Sequence, residues 1–355
     1  MNRYVFVLLG LLASATLQAT PVLRLFNWNN EIAPATLKRF EQICQCKVVE
    51  DYYGDNEEML AKLAAGAKGY DIVVPTTYAM HALINQKKLQ PLNKSAIPNF
   101  KNLDPGYLKL NAPFDPNNQF GAPLLASVTV LGYNEQKIKS LDIPTHTWAA
   151  LFDTRYLAKL RGKVTVLDSQ RELFAAALMY LGKDPNSTQV ADWKAAAEVI
   201  RKAKPYWAAF NNQSYIKELT VGNIWMALGY SNDFFQAMND AKAAKRPFSI
   251  GYQTQKEGNI LGLDNMVILK EAPNPILATQ FINFMLDGKN AADASNIIGS
   301  VNPNKAAYAF FSSQTQANPV IMSNPATQKL ILLKDMDIKS RRELNRIWTE
   351  LKASN

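Results

Sequence analysis

The chain has 355 residues, of which 48% are hydrophobic and 19% charged, an ordinary globular balance without internal repeats or low-complexity segments. Its formal charge is +9, yet the lysines and arginines are spread out, the densest cluster being Lys339-Ser340-Arg341-Arg342. No basic stretch is interleaved with aromatics, which argues against a single-strand nucleic-acid binder and for a solvated basic surface.

Residues 1–19 read as a secretory signal peptide. Arg3 supplies the positive start, 4–12 is apolar apart from Gly10, and Leu17-Gln18-Ala19 ends in a small residue suited to signal peptidase. No Cys follows the apolar run, which argues against lipid anchoring there. Removing nineteen residues from 355 leaves about 336, room for two domains. No later stretch holds eighteen uninterrupted apolar residues, so the mature chain is expected to be soluble.

The next ninety residues alternate in type. A buried strand is expected at 22–27, followed by a helix opening on Pro34, with Leu37, Phe40 and Ile43 at helical spacing. A second strand spans 47–53. Asp55-Asn56-Glu57-Glu58 resembles a capping box for a helix over 59–65. A third strand, "YDIVVP" (70–75), precedes a helix over 78–89. This βαβαβ order predicts a parallel sheet covered by helices. Cys44 and Cys46 stand one residue apart. An extended segment would hold them near the limit for bridging, and two thiols without a nearby His are too few for structural zinc. The expectation is packing at a helix-to-strand junction, with a strained redox pair as the alternative.

Further on, "SVTVLGYN" (127–134) and "KVTVLD" (163–168) read as strands, and "SQRELFAAALMYL" (169–181) as a helix. More helices follow from 190 to 202. "NIWMALGYSND" (223–233) reads as a buried strand running into a helix, and "GNILGLDNMVILK" (258–270) as another strand. The segment 275–299 is expected to be helical, and 324–352 mostly so.

In open parallel sheets, ligands sit beyond the carboxyl ends of the strands. Trp28 to Glu31, Gly54-Asp55 and Thr76-Thr77-Tyr78 follow the first three strands and share that rim. Little else points to catalysis. His81 and His146 are the two histidines, and there is no P-loop, G-x-S-x-G or G-x-G-x-x-G. His81 lies in a helical pattern and reads as a packing or surface residue. Glu172 sits in a first helical turn, where its carboxylate also suits the helix dipole. Asp168 ends a strand and could equally be an N-cap. Tyr230 and Asp233 follow a strand. Asp264 interrupts an apolar run, where a lone carboxylate is costly unless paired. Aromatic faces with several carboxylates suit an organic ammonium, at about 0.5–2 kcal/mol per good ring contact. Helix N-termini on the rim and the net positive charge oppose a cation, so the local acids must outweigh both.

The segments "FNWNNEIAPATLKRFEQ", "YDIVVPTTY", "LQPLNKSAIPNFKNLDP", "APFDPNNQFGAP", "LGKDPNST", "GYSNDFFQA" and "NPNKAA" resemble the periplasmic spermidine/putrescine-binding proteins of ABC transporters, most of all the putrescine-preferring branch. The resemblance covers nearly the whole mature chain. It implies an α/β, two-lobed type II periplasmic binding protein. Each lobe would be a mainly parallel sheet flanked by helices, with the ligand cleft between the lobes. Expected boundaries are 20–126 and 260–300 for the first lobe and 127–259 and 301–355 for the second, with hinge crossings near 126–129 and 257–261.

The family's site carries over with differences. Trp28 matches an aromatic wall and Asn29 a small polar position. Asn30 stands where the family has an acid, and Glu31 where it has Tyr, so the acid has moved by one residue. Thr76 matches a hydroxyl position and Tyr78 an aromatic of the spermidine branch. Ser169 replaces an Asp of that branch. Glu172 and Asp233 match ligand-binding acids, Tyr230 takes a Trp position, and Asp264 matches the carboxylate expected to hold an amino group. Gly262 replaces an aromatic wall residue and Ser300 a Tyr, which opens the cleft. The resemblance implies a periplasmic, monomeric carrier of a polyamine that delivers it to membrane permease subunits without cofactor, metal or nucleic acid. The alternatives are another small cation such as an amino acid or opine, a periplasmic sensor or adhesin on the same fold, and, lacking any nucleophile–base pair, an enzyme.

Overall fold

The computed structural model describes residues 20–29, 31–325 and 328–353. The expected signal peptide and Asn30 lie outside them. The described strands are β1 (Val22–Trp28), β2 (Lys47–Tyr53), β3 (Ile72–Val73), β4 (Gly121–Asn134), β5 (Val164–Val166), β6 (Ala209–Phe210), β7 (Met226–Tyr230), β8 (Ile250–Gln253), β9 (Asn259–Ile268) and β10 (Leu330–Ile331). They follow the order β2-β1-β3-β9-β4-β7-β5-β6, with β8 beside β4 and β10 beside β9.

The first unit is the expected βαβαβ. β1 buries Leu23, Leu25 and Phe26 completely and pairs in parallel with β2 on one side and β3 on the other. Pro34 opens the helix Pro34–Cys44. At that helix's end Gln45 adopts a left-handed backbone, φ 52°, before β2 begins. This turn brings Cys44 and Cys46 to a Cα separation of 5.1 Å, and they form a disulfide. The expectation of two packing thiols is therefore corrected, because the segment between them is not extended. Asp55 caps the helix Asn56–Ala64 by accepting from Glu58 N at 2.7 Å, while the Glu58 carboxylate accepts from Gly54 N at 2.8 Å. The helix Thr77–Asn85 is shorter than expected; Lys87 beyond it takes φ 56°. His81 packs on Phe114, its Nδ1 2.7 Å from Phe114 O.

Two long strands tie this unit to a second. β4 pairs antiparallel with β9 over 121–128 and then changes partner, pairing with β7 over 129–133 and with β8 over 131–134. β5, β6 and β7 are mutually parallel. Each side thus keeps a parallel group, and the antiparallel strands lie between them. Apolar packing divides the same way. Leu25, Phe40, Phe281 and Leu125 belong to one core, with Phe26, Tyr53 and Met80 adjacent. Trp148, Phe174, Tyr215 and Phe234 belong to another. The molecule is a two-lobed α/β structure.

The helix Gln170–Tyr180 buries every residue from Leu173 to Met179, and Val190–Ala203 packs beside it. The segment 275–299 splits into helices Pro275–Met285 and Gly288–Asn296, the second capped by Asp287. Ala307 and Phe311 pack on Ala291 and Ala292 of that second helix. The C-terminal expectation is corrected. The helix Ile338–Ala353 begins late, because Leu330 and Ile331 pair in parallel with Asn259 and Ile260 instead of coiling. Among the described residues no helix is long and apolar enough to cross a membrane.

Candidate functional site

The carboxyl ends of β1, β2 and β3 do converge. Trp28 ends β1 and donates its indole N–H to Val74 O at 2.8 Å. Tyr53 ends β2 and donates its hydroxyl to the same carbonyl at 2.6 Å. The two rings lie 4.6 Å apart at 58°, forming one continuous aromatic wall. Thr76 follows β3 and is held by Asn56, whose amide donates to Thr76 Oγ1 at 2.9 Å and accepts from Thr76 N at 3.2 Å. Asn29 is exposed at the rim.

Asp264 comes to the same place from β9, where it bridges to Thr76. It is 3% exposed, and its Oδ1 has no hydrogen-bond partner among the described residues. Glu31 faces it, within hydrogen-bonding reach, and Glu31 Oε2 is likewise buried without a partner. Burial raises the pKa of both carboxyls. The Asp264 charge raises Glu31 further, with a smaller push from Glu50, whereas hydrogen bonding from Glu31 and Trp28 restrains Asp264. Two carboxyls this close repel each other when both are ionised, which favours protonation of one of them in the absence of a cation.

The second lobe supplies the opposite wall. Glu172 is half-buried and accepts from Thr129 Oγ1 at 2.7 Å; burial raises its pKa, while Thr129 and Arg171 pull the other way. Asp233, in the first turn of the helix Ser231–Ala243, accepts from the fully buried Tyr215 hydroxyl. Burial lifts Asp233 to about 6 against that hydrogen bond. Tyr230 ends β7 between the walls: its hydroxyl is pushed up by burial and then by Glu172, Asp233, Tyr78 and Asp264. Tyr78 donates to Glu57 at 3.1 Å, and burial raises its pKa too.

The structure thus brings together Trp28, Glu31, Thr76, Tyr78, Glu172, Tyr230, Asp233 and Asp264. Ser169 serves its own helix, its hydroxyl accepting from Glu172 N at 3.5 Å. Asp168 lies outside the group, paired with Lys352 at 2.7 Å. Gly262 lies opposite Ser127 in the β4–β9 ladder, where a Cβ would stand 3.0 Å from Ser127 Oγ. Ser300 is fully buried with an unpartnered hydroxyl, beside the bridge between Ala126 and Val301. Tyr53, Asn56, Thr129 and Tyr215 are additions. Tyr53 was within reach of the rim argument, as the last residue of its strand. Thr129 and Tyr215 carry no local signal, because their value comes from strand register and helix packing. Among the described residues no ion pair reaches Glu31, Glu172, Asp233 or Asp264, and no cluster of His, Cys, Asp and Glu is suited to a metal.

Comparison with known proteins places this geometry in context. The family model for bacterial extracellular solute-binding proteins matches residues 35–323. The chain is 46% identical over 353 residues to the putrescine/cadaverine-binding protein of Pseudomonas aeruginosa strain PAO1, covering 99% of both chains. It is 37% identical over 337 residues to the putrescine-binding periplasmic protein PotF of Escherichia coli K12, covering 93% of this chain and 91% of that one. A solved structure of a putative spermidine/putrescine ABC transporter protein from Listeria monocytogenes superposes with a TM-score of 0.82 at 27% identity, covering 94% of this chain and 99% of that one.

Proposed function

The chain belongs to the bacterial extracellular solute-binding proteins, with the two-lobed fold of type II periplasmic binding proteins, and from that premise we propose that its interlobe cleft captures a polyamine of the putrescine or spermidine class for an ABC importer. The observation that carries this reading is a set of four acids, the buried Asp264 and the half-buried Glu31, Glu172 and Asp233, two from each side, lying among aromatic rings with no ion pair among the described residues. A flexible chain with an ammonium at each end supplies what each side lacks. Glu31 and Asp264 take one end, and Glu172 and Asp233 take the other. Trp28, Tyr53 and Tyr230 pack on the methylenes and contribute cation–π attraction. Thr76, held by Asn56, lines the cleft beside Asp264.

Closure of the lobes over the ligand would present the loaded form to the permease. In our reading the hinge crossings lie near 126–129, where β4 changes partner, and near 257–261. The packing of Ala307 and Phe311 on the helix Gly288–Asn296 supports a return to the second lobe later than residue 300. The signal-peptide reading and the periplasmic relatives support a periplasmic site of action.

The test is calorimetric titration of ligand-stripped protein with putrescine, cadaverine, spermidine, spermine and arginine. Saturable binding of a polyamine at about 10 μM or tighter is expected, roughly −7 kcal/mol. A folded protein that responds to none of them refutes the proposal.

A further inference from the structure

A second acid faces Asp264: the chain folds so that the Glu31 carboxyl meets that of Asp264. Two features make the pair unusual as a receptor. Each carboxyl keeps one buried oxygen, Glu31 Oε2 and Asp264 Oδ1, with no donor among the described residues. The two carboxyls also lie within hydrogen-bonding reach of each other.

Among the described residues no cation is seen to neutralise a doubly ionised pair. From β2 the facing groups are Glu50 and Tyr53, with Tyr78 beside Tyr53, and from β7 Tyr230. None of these is a cation. Arg171, across the cleft, acts on Tyr78 and Glu172. Without a cation, burial and mutual repulsion favour one proton shared by the empty pair.

Resting on the polyamine reading above, we propose that Glu31 and Asp264 form a proton-exchange receptor for a terminal primary ammonium, which gives up the shared proton as the R–NH3+ group enters. The bookkeeping is simple. One O–H bond of the pair breaks and its proton leaves to solvent, and the ammonium keeps all three of its own. Two of those N–H groups reach the orphaned Oε2 and Oδ1, and the positive charge replaces the lost proton between two carboxylates. A site built around N–H donors also discriminates. A quaternary ammonium offers none, leaves both oxygens unpaired, and is rejected.

The experiment is calorimetry of putrescine binding to the full mature chain at pH 7 in phosphate, PIPES and HEPES, whose ionisation enthalpies differ. The observed enthalpy should vary linearly with buffer ionisation enthalpy, with a slope equal to about one proton released per putrescine. Affinity should fall about tenfold per unit as the pH drops below the range where the empty pair loses its proton. Glu31→Gln should bind more weakly, with the slope reduced to near zero, and the bis-quaternary analogue of putrescine should not compete. Putrescine binding without proton release in the wild-type chain overturns the exchange while leaving the polyamine reading intact. An undiminished slope in Glu31→Gln overturns it too, by placing the proton elsewhere, for instance on Asp233. The wild-type buffer series decides the question even if the variant does not fold. A folded chain that binds no amine overturns the proposed function, and this inference with it.

Discussion

The guanidinium of Arg171 lies 5.9 Å from the ring centroid of Tyr78, and the two residues belong to opposite lobes. Arg171 is anchored on its own side by donating to Lys334 O at 2.5 Å, and Tyr78 on its side by donating to Glu57. In our reading of the lobes the contact spans the cleft and favours its closed form. Arg171→Ala is expected to raise the ligand dissociation rate by roughly three- to tenfold, the range of a partly desolvated cation–π contact, with little change in association. Stopped-flow tryptophan fluorescence measures both rates. An unchanged dissociation rate would show that closure does not depend on this contact.

Asp264→Asn should weaken polyamine binding by about tenfold or more, because an ammonium then loses a charged partner in a buried site. Titration calorimetry at neutral pH reads the loss. Equal affinity would remove Asp264 from the ligand shell.

Stability should depend on pH in the direction set by the buried acids. Burial pushes the Asp233 carboxyl up to about 6 in the folded chain, against an ordinary value of 3.8. The folded chain therefore holds that proton more tightly than the unfolded chain. The stabilisation is full below about pH 4 and is lost as the pH rises through about 6. Its ceiling is about 3 kcal/mol. Asp153 and Asp192 behave oppositely, held low by hydrogen bonds from Arg155 and Lys183, and they cost stability only at lower pH. Thermal melts of stripped protein should therefore show a higher Tm at pH 5 than at pH 7.5. Asp233→Asn should raise Tm at pH 7.5 and flatten the profile. A wild-type Tm that climbs steadily from pH 5 to 7.5 would contradict this.

Gly132→Ala should harm both fold and site. A Cβ at Gly132 would stand 2.1 Å from the Phe234 ring, which is fully buried and adjacent in the chain to Asp233. Overpacking of this kind costs about 1–3 kcal/mol. Urea denaturation should show that loss, and titration should show weaker amine binding. Wild-type stability would mean that Phe234 has room to move.

Local pattern was enough for much of the fold. Alternating apolar runs, Pro34 at a helix start and the Asp55 cap mark β1, β2 and their helices, and the polar-aromatic turns after Trp28 and Tyr53 mark the rim. Motif order carried the two-lobed architecture and pointed to the residues proposed for the site. These features are legible because periodicity and capping involve residues within a turn or two of each other. The tertiary structure decided the rest. Gln45 had to turn left-handed before Cys44 could reach Cys46. Leu330 and Ile331 became a strand only because β9 offered an unpaired partner there. Register across β4, β7 and β9 delivered Thr129 to Glu172 and Asp264 to Thr76, and helix packing delivered Tyr215 to Asp233. Above all, Glu31 and Asp264 lie far apart in the chain, and neither residue's neighbours reveal the other. Whether two acids repel in solvent or share a proton in a dry cleft depends on burial and approach, which only the folded chain sets.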